Sequence, residues 1–296
     1  MTHPYLTAIN NHINSLPALP ATVAKVMAVT ADPDSSANDL MEVILPDQTM
    51  CSTILKVANS AFFGIPRGVS TIERAVVVLG HAEIRNIVIG KAIFSSFPRL
   101  SKENKNTVSL FWEHAFTCGL AAKIIGEHLH LPPSEFFIAG LIHDIGKLVM
   151  LMAFPHDYPI LQELSNPCNL DKCNEERGKF SISHDKVGLQ LAERWLLPAQ
   201  LCMAIGFHHS PQDAPSFKKY PLIVQVADLL SLMYCHSEGM KSEDVEKIFI
   251  DFLPETSTLW SEDTLCWKPE NIGHWFELLQ HHREDDQTIL SIFSSS

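Results

Sequence analysis

The sequence has little positive charge. Lys and Arg number 22 against 34 Asp and Glu, which gives a net charge of −12, and the positive side chains are scattered along the chain. An acidic protein without a local basic patch repels phosphate backbones and anionic lipid. We therefore expect neither a nucleic-acid partner nor binding to a membrane surface.

Long uncharged apolar runs and an export signal are also missing. The sequence contains no uncharged apolar run of about 18 residues, which is the length that a membrane-spanning helix requires. Residues 1–5 do not supply a basic segment followed by an apolar stretch, as a secretion signal would. These absences predict a cytoplasmic protein with no segment in a membrane.

Cysteine is present, but it does not form the pattern of a disulfide framework. The seven cysteines are an odd number, spread between positions 51 and 266, and reduced thiols are typical of the cytoplasm. Cys168 and Cys173 are the closest pair, and no second pair at metal-ligand spacing accompanies them. This pattern favours thiols over a zinc knuckle.

The apolar residues predict an all-α fold. They make up 46% of the 296 positions, enough to fill a core, and they recur mostly at helical spacing. The sequence Ser-Thr-Ile-Glu at 70–73 predicts a capping box at a helix start, and Gly80 predicts the end of that helix. Pro132 and Pro133 predict the start of a helix that runs through His143 towards Met152.

Two polar stretches divide this helical pattern. Residues 98–106 are almost entirely polar and mark the best candidate boundary between two lobes, whereas residues 166–179 predict an exposed connection. We therefore expect a helical lobe at 1–100, a second helical lobe at 107–237 and a helical C-terminal extension at 238–296.

The sharpest chemical feature is the doublet His143-Asp144 on a predicted helix. An adjacent imidazole and carboxylate offer nitrogen and oxygen ligands to one divalent metal. Lys147 lies four residues after His143 and three after Asp144, so its ammonium is expected on the same side of the helix, where it suits a phosphoryl oxygen. An Asp144–Lys147 ion pair beside a packed histidine is the simpler alternative.

Other metal-capable residues also lie on predicted helices. A buried carboxylate in an apolar helix, as at Asp228, is costly unless a cation or several donors satisfy it. Each of these residues alone is more often structural, but together with the doublet they favour a metal site. They are His114, His184, His208, His209 and Asp228.

Several segments of the sequence carry a family resemblance. They are Leu-Pro-Ala-Leu-Pro at 16–20, Asp47, Lys-Val-Ala-Asn-Ser-Ala-Phe-Phe-Gly at 56–64, residues 72–80, Leu-Leu-Pro at 196–198 and His-His-Ser-Pro at 208–211. The order of the histidines and aspartates resembles the HD-domain superfamily of metal-dependent phosphohydrolases. The other segments narrow the resemblance to the HDOD domain, the HD-related output domain of bacterial signalling proteins. Asn59, Ser60 and Gly64 suit a helix cap and a tight turn better than ligand contact.

The resemblance implies an all-helical protein in which the small N-terminal lobe packs on an HD-like, metal-binding bundle. Family members are usually regarded as regulatory modules, and many have lost part of the metal constellation. Here each expected position holds a metal-capable residue, which implies one or two divalent ions; iron, manganese, zinc and nickel all suit nitrogen and oxygen ligands. The implied metal ligands are His114, His143, Asp144, His184, His208, His209 and Asp228.

Two functions therefore remain open. The first is a signal-transduction module that recognises another protein and retains a metal. The second is a metal-dependent phosphohydrolase that acts on a small, nucleotide-like phosphate ester. In that enzyme Asp144 would bridge two metals and Lys147 would stabilise developing charge while an activated water attacks phosphorus. We favour the first function.

Two narrower assignments are disfavoured. The cyclic-dinucleotide phosphodiesterase branch follows its paired histidines with Glu and an Asp-Gly-x-Gly-Tyr-Pro signature, but residues 210–215 are Ser-Pro-Gln-Asp-Ala-Pro. A di-iron carboxylate bundle needs two Glu-x-x-His motifs, and only the segment 127–130 comes close to that pattern.

Overall fold

The computed structural model describes residues 4–66, 68–97, 105–158, 172–236, 242–253, 260, 265, 268–285 and 288–294. Helices account for the secondary structure in these ranges, with no strand among them, so the predicted all-α fold is confirmed. The elements are α1 (Pro4–Ser15), α2 (Ala21–Ala31), α3 (Ala37–Ile44), α4 (Gln48–Ala58), α5 (Ile72–Ser95), α6 (Lys105–His128), α7 (Pro133–Ile142), α8 (Ile145–Ala153), α9 (Lys172–Phe180), α10 (His184–Arg194), α11 (Ala199–Phe207), a 3-10 turn (Pro211–Asp213), α12 (Lys219–His236), α13 (Ser242–Phe252), α14 (Pro269–Asp285) and α15 (Thr288–Ser294).

The helices form two compact units. The large unit contains Met1–Leu16 and Arg99–His281, and the small unit contains Pro17–Pro98 and His282–Ser296. Each unit therefore combines residues that are distant in the sequence. The division into lobes at 1–100, 107–237 and 238–296 stays a prediction about which parts fold independently.

Two cations join the distant segments within the units, the exposed Arg194 and the buried Lys91. In the large unit, the Arg194 guanidinium donates hydrogen bonds to the carbonyls of Ile13 (2.6 Å) and Leu16 (3.0 Å) at the end of α1. In the small unit, the Lys91 ammonium on α5 donates to the Phe293 carbonyl of α15 over 2.9 Å. These bonds satisfy carbonyls at helix ends, which have no partner inside their own helix.

Helix α5 of the small unit bends at a glycine. Gly80 has φ +82° and ψ 170°, outside the helical range, which glycine adopts without steric cost. The predicted interruption at Gly80 is thus present, although a second helical stretch follows directly. The predicted capping box is wrong by one residue, because Thr71 rather than Ser70 caps the helix and accepts a hydrogen bond from the backbone N–H of Arg74.

The segment after α4 is shaped by Asn59. Its side-chain amide donates to the carbonyls of Leu55 (2.8 Å) and Val69 (2.7 Å), and its Oδ1 accepts from the Val69 N–H (2.6 Å). Gly64 has φ +54°, as the turn requires. The structural role predicted for Asn59 and Gly64 is confirmed.

The large unit differs from the prediction at residues 143–144. The single helix predicted from Pro132 through His143 is in fact α7 and α8, because Asp144 leaves the helical conformation with φ −100° and ψ 12°. Residues Pro133–Ala153 are apolar enough by composition to cross a membrane, but 89% of this stretch is buried inside the protein. The break turns the Asp144 carboxylate inward at the junction.

Gly146 allows α8 and α10 to pack closely. A Cβ at this position would lie 1.9 Å from the carbonyl oxygen of His184 and 2.6 Å from the backbone nitrogen of Gly188. Both neighbours are backbone atoms, so a side chain could be accommodated only by moving the two helices apart. The approach of α8 to α10 also sets the position of His184 relative to Asp144.

We expect Gly146→Ala to lower the free energy of unfolding by about 1–3 kcal/mol, the usual cost of overpacking. Gly178→Ala is the matched control, since Gly178 lies in α9 and nothing stands within 4 Å of its added Cβ. That control should leave stability unchanged or slightly raised, because Ala is the better helix former. Urea unfolding followed by circular dichroism measures both, and equal stability of the two variants would contradict the close packing.

Candidate metal centre

All seven predicted ligands belong to the large unit, where α6, the α7–α8 junction, α10, the end of α11 and α12 converge. Their nitrogen and oxygen atoms form two groups, in each of which the atoms lie within 4.8 Å of one another. The Asp228 half consists of His114, His143 and Asp228, and the His184 half consists of Asp144, His184, His208 and His209. Each half offers the donor set of a divalent metal.

The Asp144 carboxylate lies between the two halves. Its Oδ2 is 3.2 Å from His143 Nε2 and 3.7 Å from His114 Nε2. Its Oδ1 is 3.2 Å from His184 Nε2 and 3.5 Å from His208 Nε2. One oxygen therefore faces each half, so Asp144 would be available as a ligand to both halves.

Hydrogen bonds at Nδ1 orient the rings of His143 and His208. His143 Nδ1 donates to the Gly140 carbonyl over 2.7 Å, and His208 Nδ1 donates to the Ile205 carbonyl over 2.9 Å. Because a carbonyl only accepts, each Nδ1 must carry the hydrogen, and the Nε2 of a neutral ring then presents a lone pair. Both Nε2 atoms point into the centre.

His114 is oriented by Ser231 on α12. The Ser231 hydroxyl donates its hydrogen to the His114 carbonyl and lies 3.0 Å from His114 Nδ1. Its single hydrogen is thus used, so the hydroxyl accepts from Nδ1–H. His114 Nε2 is left as an acceptor that lies 3.1 Å from Asp228 Oδ1.

Five buried acceptor atoms of the centre have no hydrogen-bond partner. Leaving such atoms unsatisfied is costly, and facing lone pairs repel one another unless a cation lies between them. A divalent metal with nitrogen and oxygen ligands would satisfy all five, so the residues fit such an ion. The atoms are Nε2 of His114, His143 and His208, Oδ1 of Asp144 and Oδ1 of Asp228.

Without a metal, protons take part of this role. Burial disfavours the charged form of His143, but the Asp144 carboxylate outweighs burial and holds the His143 pKa well above its usual value. Burial opposes ionisation of Asp144 as well, yet His143 and Lys147 hold the Asp144 pKa well below its usual value. A metal would displace the proton between these groups, since a ligating imidazole must be deprotonated.

Lys147 forms the ion pair that the simpler sequence interpretation predicts. Its ammonium lies 2.5 Å from Asp144 Oδ2 and is 7% exposed. The ion pair engages only one of the two Asp144 oxygens. It leaves Asp144 Oδ1 and the Nε2 atoms of His114, His143 and His208 without a partner, so it does not by itself account for the cluster.

Sequence analysis missed Glu176 and Tyr158. The predicted exposed connection at 166–179 is wrong for its described part, because residues 172–180 form α9 and Glu176 is only 3% exposed. Glu176 Oε2 accepts a 2.8 Å hydrogen bond from His184 Nδ1, and Glu176 Oε1 accepts a 2.7 Å bond from the Tyr158 hydroxyl. The helical spacing of Cys173, Glu176 and Phe180, all buried, was the available signal.

Cys173 is a buried thiol next to this carboxylate. Burial raises its pKa to about 11, and its Sγ lies 3.8 Å from Asp185 Oδ1. Cys173 Sγ also lies within 4.8 Å of ligand atoms of Glu176 and His184, so these three residues form a third group of metal-capable side chains. Cys168, the other member of the predicted pair, lies outside the described residues.

Comparisons with known proteins agree with this fold. A protein of Treponema pallidum (strain Nichols), named only as uncharacterized, is 28% identical over 224 residues; the match covers 74% of this chain and 42% of that protein, so the chain spans less than half of its relative. Among solved structures, a candidate phosphohydrolase from Shewanella amazonensis SB2B has a TM-score of 0.72 at 20% identity, over 97% of this chain and 98% of its own.

A candidate signal-transduction protein from Marinobacter aquaeolei VT8 has a TM-score of 0.71 at 18% identity, over 98% of this chain and 66% of its own. At these identities the two structures establish the fold alone. A sequence profile of the HDOD domain matches residues 16–211, about two thirds of the 296 residues. The chain therefore belongs to the HDOD-domain family.

Proposed function

We propose that this protein is a regulatory module of bacterial signal transduction that holds divalent metal in the candidate centre and acts in the cytoplasm through a protein partner. The observation that carries the metal is the set of five buried acceptor atoms that face one another without hydrogen-bond partners. The regulatory role is supported by membership of the HDOD-domain family and by the burial of the centre.

A metal with a low coordination number would have no free position for a substrate in this centre. Each half has three ligand side chains of its own, and the shared Asp144 adds one oxygen to each. Four protein donors saturate a tetrahedral ion such as zinc, as in structural sites, whereas catalytic zinc keeps an open position. His143, His184 and His208 are fully buried, and Asp228 is 9% exposed. These features favour a metal that stabilises one arrangement of the helices.

We expect the purified protein to contain divalent metal by elemental analysis, and His143→Ala and Asp144→Asn to lose it, because each removes a donor that no neighbouring side chain replaces. His156→Ala is the matched control, since His156 is an exposed histidine of the same unit. Circular dichroism verifies that each variant is folded.

Removal of the metal from the wild type by a chelator should lower Tm, because a ligand that binds only the folded state stabilises it. Metal retained in both His143→Ala and Asp144→Asn, or a Tm that does not respond to the chelator, would overturn the metal centre.

Metal-dependent phosphohydrolysis is the second candidate, and charge balance favours it if two ions bind. One divalent ion together with Lys147 balances the carboxylates of Asp144, Asp228 and Glu176. A second ion would leave an excess of two positive charges, which an anion such as a phosphate ester would neutralise. An ion that can accept more than four ligands would also keep a coordination position free for the substrate.

We expect the Mn²⁺-loaded protein to release no more p-nitrophenol from bis(p-nitrophenyl) phosphate than the chelator-treated protein does. A metal-dependent rate would replace the regulatory proposal with the hydrolase if it disappears in Asp144→Asn and falls about 100-fold or more in Lys147→Met, the usual loss when one charge-stabilising donor is removed. Retained metal in Lys147→Met would show that the loss is chemical.

A further inference from the structure

The two halves of the centre differ in what stands behind their histidines. His114, His143 and His208 donate Nδ1–H to uncharged oxygens of Ser231, Gly140 and Ile205, respectively. His184 instead donates Nδ1–H to the Glu176 carboxylate. Among the four histidines with a described Nδ1 partner, His184 is thus the one whose partner is a carboxylate.

A carboxylate behind a histidine changes the ring as a ligand. The negative charge draws the Nδ1 proton toward itself, which makes Nε2 more basic and a stronger donor to a cation, and it fixes the plane of the ring. A neutral carbonyl or hydroxyl provides the orientation with much less of this electronic effect. The Asp228 half has a carboxylate of its own, but Lys147 lies on Oδ2, the Asp144 oxygen that faces that half, and its positive charge offsets the Asp228 charge there. The His184 half should therefore hold a divalent ion more tightly than the Asp228 half.

Glu176 is itself held in place. Tyr158 donates to Oε1 over 2.7 Å, while Oε2 accepts from both the backbone N–H and Nδ1–H of His184, over 2.7 and 2.8 Å. Oε2 thus accepts the first backbone N–H of α10, which receives no capping bond from the Ser183 side chain at the N-cap. Glu176 therefore couples the start of α10 to the orientation of its first side chain.

We propose that Glu176 is a positioning residue that makes the two halves of the centre unequal, so that a divalent ion fills the His184 half before the Asp228 half. The inference rests on the proposed metal centre and adds to it an order of filling. Tyr158 supports the role by fixing the second oxygen of the carboxylate.

Calorimetric titration of the chelator-treated full-length protein with Zn²⁺ tests the proposal. Glu176→Gln removes the charge and retains an oxygen that can accept the His184 hydrogen bonds. Glu175→Gln is the matched control on the adjacent, exposed residue of α9. His208→Ala and His114→Ala identify which half each binding step belongs to.

We expect two steps of different affinity in the wild type. The tighter step should weaken about 10–100-fold in Glu176→Gln and disappear in His208→Ala, while the weaker step persists in both. His114→Ala should remove only the weaker step, and Glu175→Gln should match the wild type. A single step of one ion per protein that disappears in His208→Ala but persists in His114→Ala would also support the proposal, because only the His184 half then fills.

Equal affinities for the two ions, or a Glu176→Gln variant that weakens both steps alike, would overturn the order of filling while the metal centre stands. The absence of any Zn²⁺ binding by the folded wild type would overturn the metal centre, and the order of filling with it. Metal-free Tm values of Glu176→Gln and the wild type separate a loss of the α10 cap from a loss of ligand strength.

Discussion

In the large unit, five parts of the chain bring together buried acceptor atoms that face one another without hydrogen-bond partners. The same local device aims two of these acceptors. His143 and His208 each follow the last turn of a helix and donate Nδ1–H to the carbonyl three residues earlier, which is a carbonyl that the helix leaves without a partner. Each ring thus completes a helix end and is turned by the same bond so that Nε2 faces the centre. The same hydrogen bond therefore satisfies a backbone carbonyl at the helix end and orients the ring toward the centre.

Whether such a centre would suit a regulatory module or an enzyme depends on how many ions it holds and on their coordination number, and not on the fold. With one ion, the charges of the carboxylates, Lys147 and the metal cancel, and the centre has no excess charge to attract a phosphate. With two ions and higher coordination numbers, the same residues would form an anion-binding site.

The residues that the sequence singles out as ligands lie together in the structure, and Asp228 was recognisable because a carboxylate in an otherwise apolar helix has a high cost unless it is satisfied. The sequence predicted less well the features that depend on a distant partner. The break at Asp144 is concealed by apolar residues on both sides, and the close approach of Gly146 to His184 two residues later depends on a distant part of the chain. Glu176 lies in a polar segment, and its burial depends on a hydrogen bond to His184 that no local pattern encodes. The cap at Thr71 shows that spacing alone leaves an uncertainty of one residue.

The joining of distant segments by Arg194 and Lys91 has a consequence for synthesis. Helix α1 leaves the ribosome early, but its end carbonyls find the Arg194 guanidinium only about 180 residues later. The small unit is completed later still, because Lys91 bonds to Phe293, which lies on a helix that is translated after the entire large unit. Such non-local contacts are formed late and slowly. During translation the surface of the small unit that contacts α15 therefore stays uncovered until α15 itself has been made.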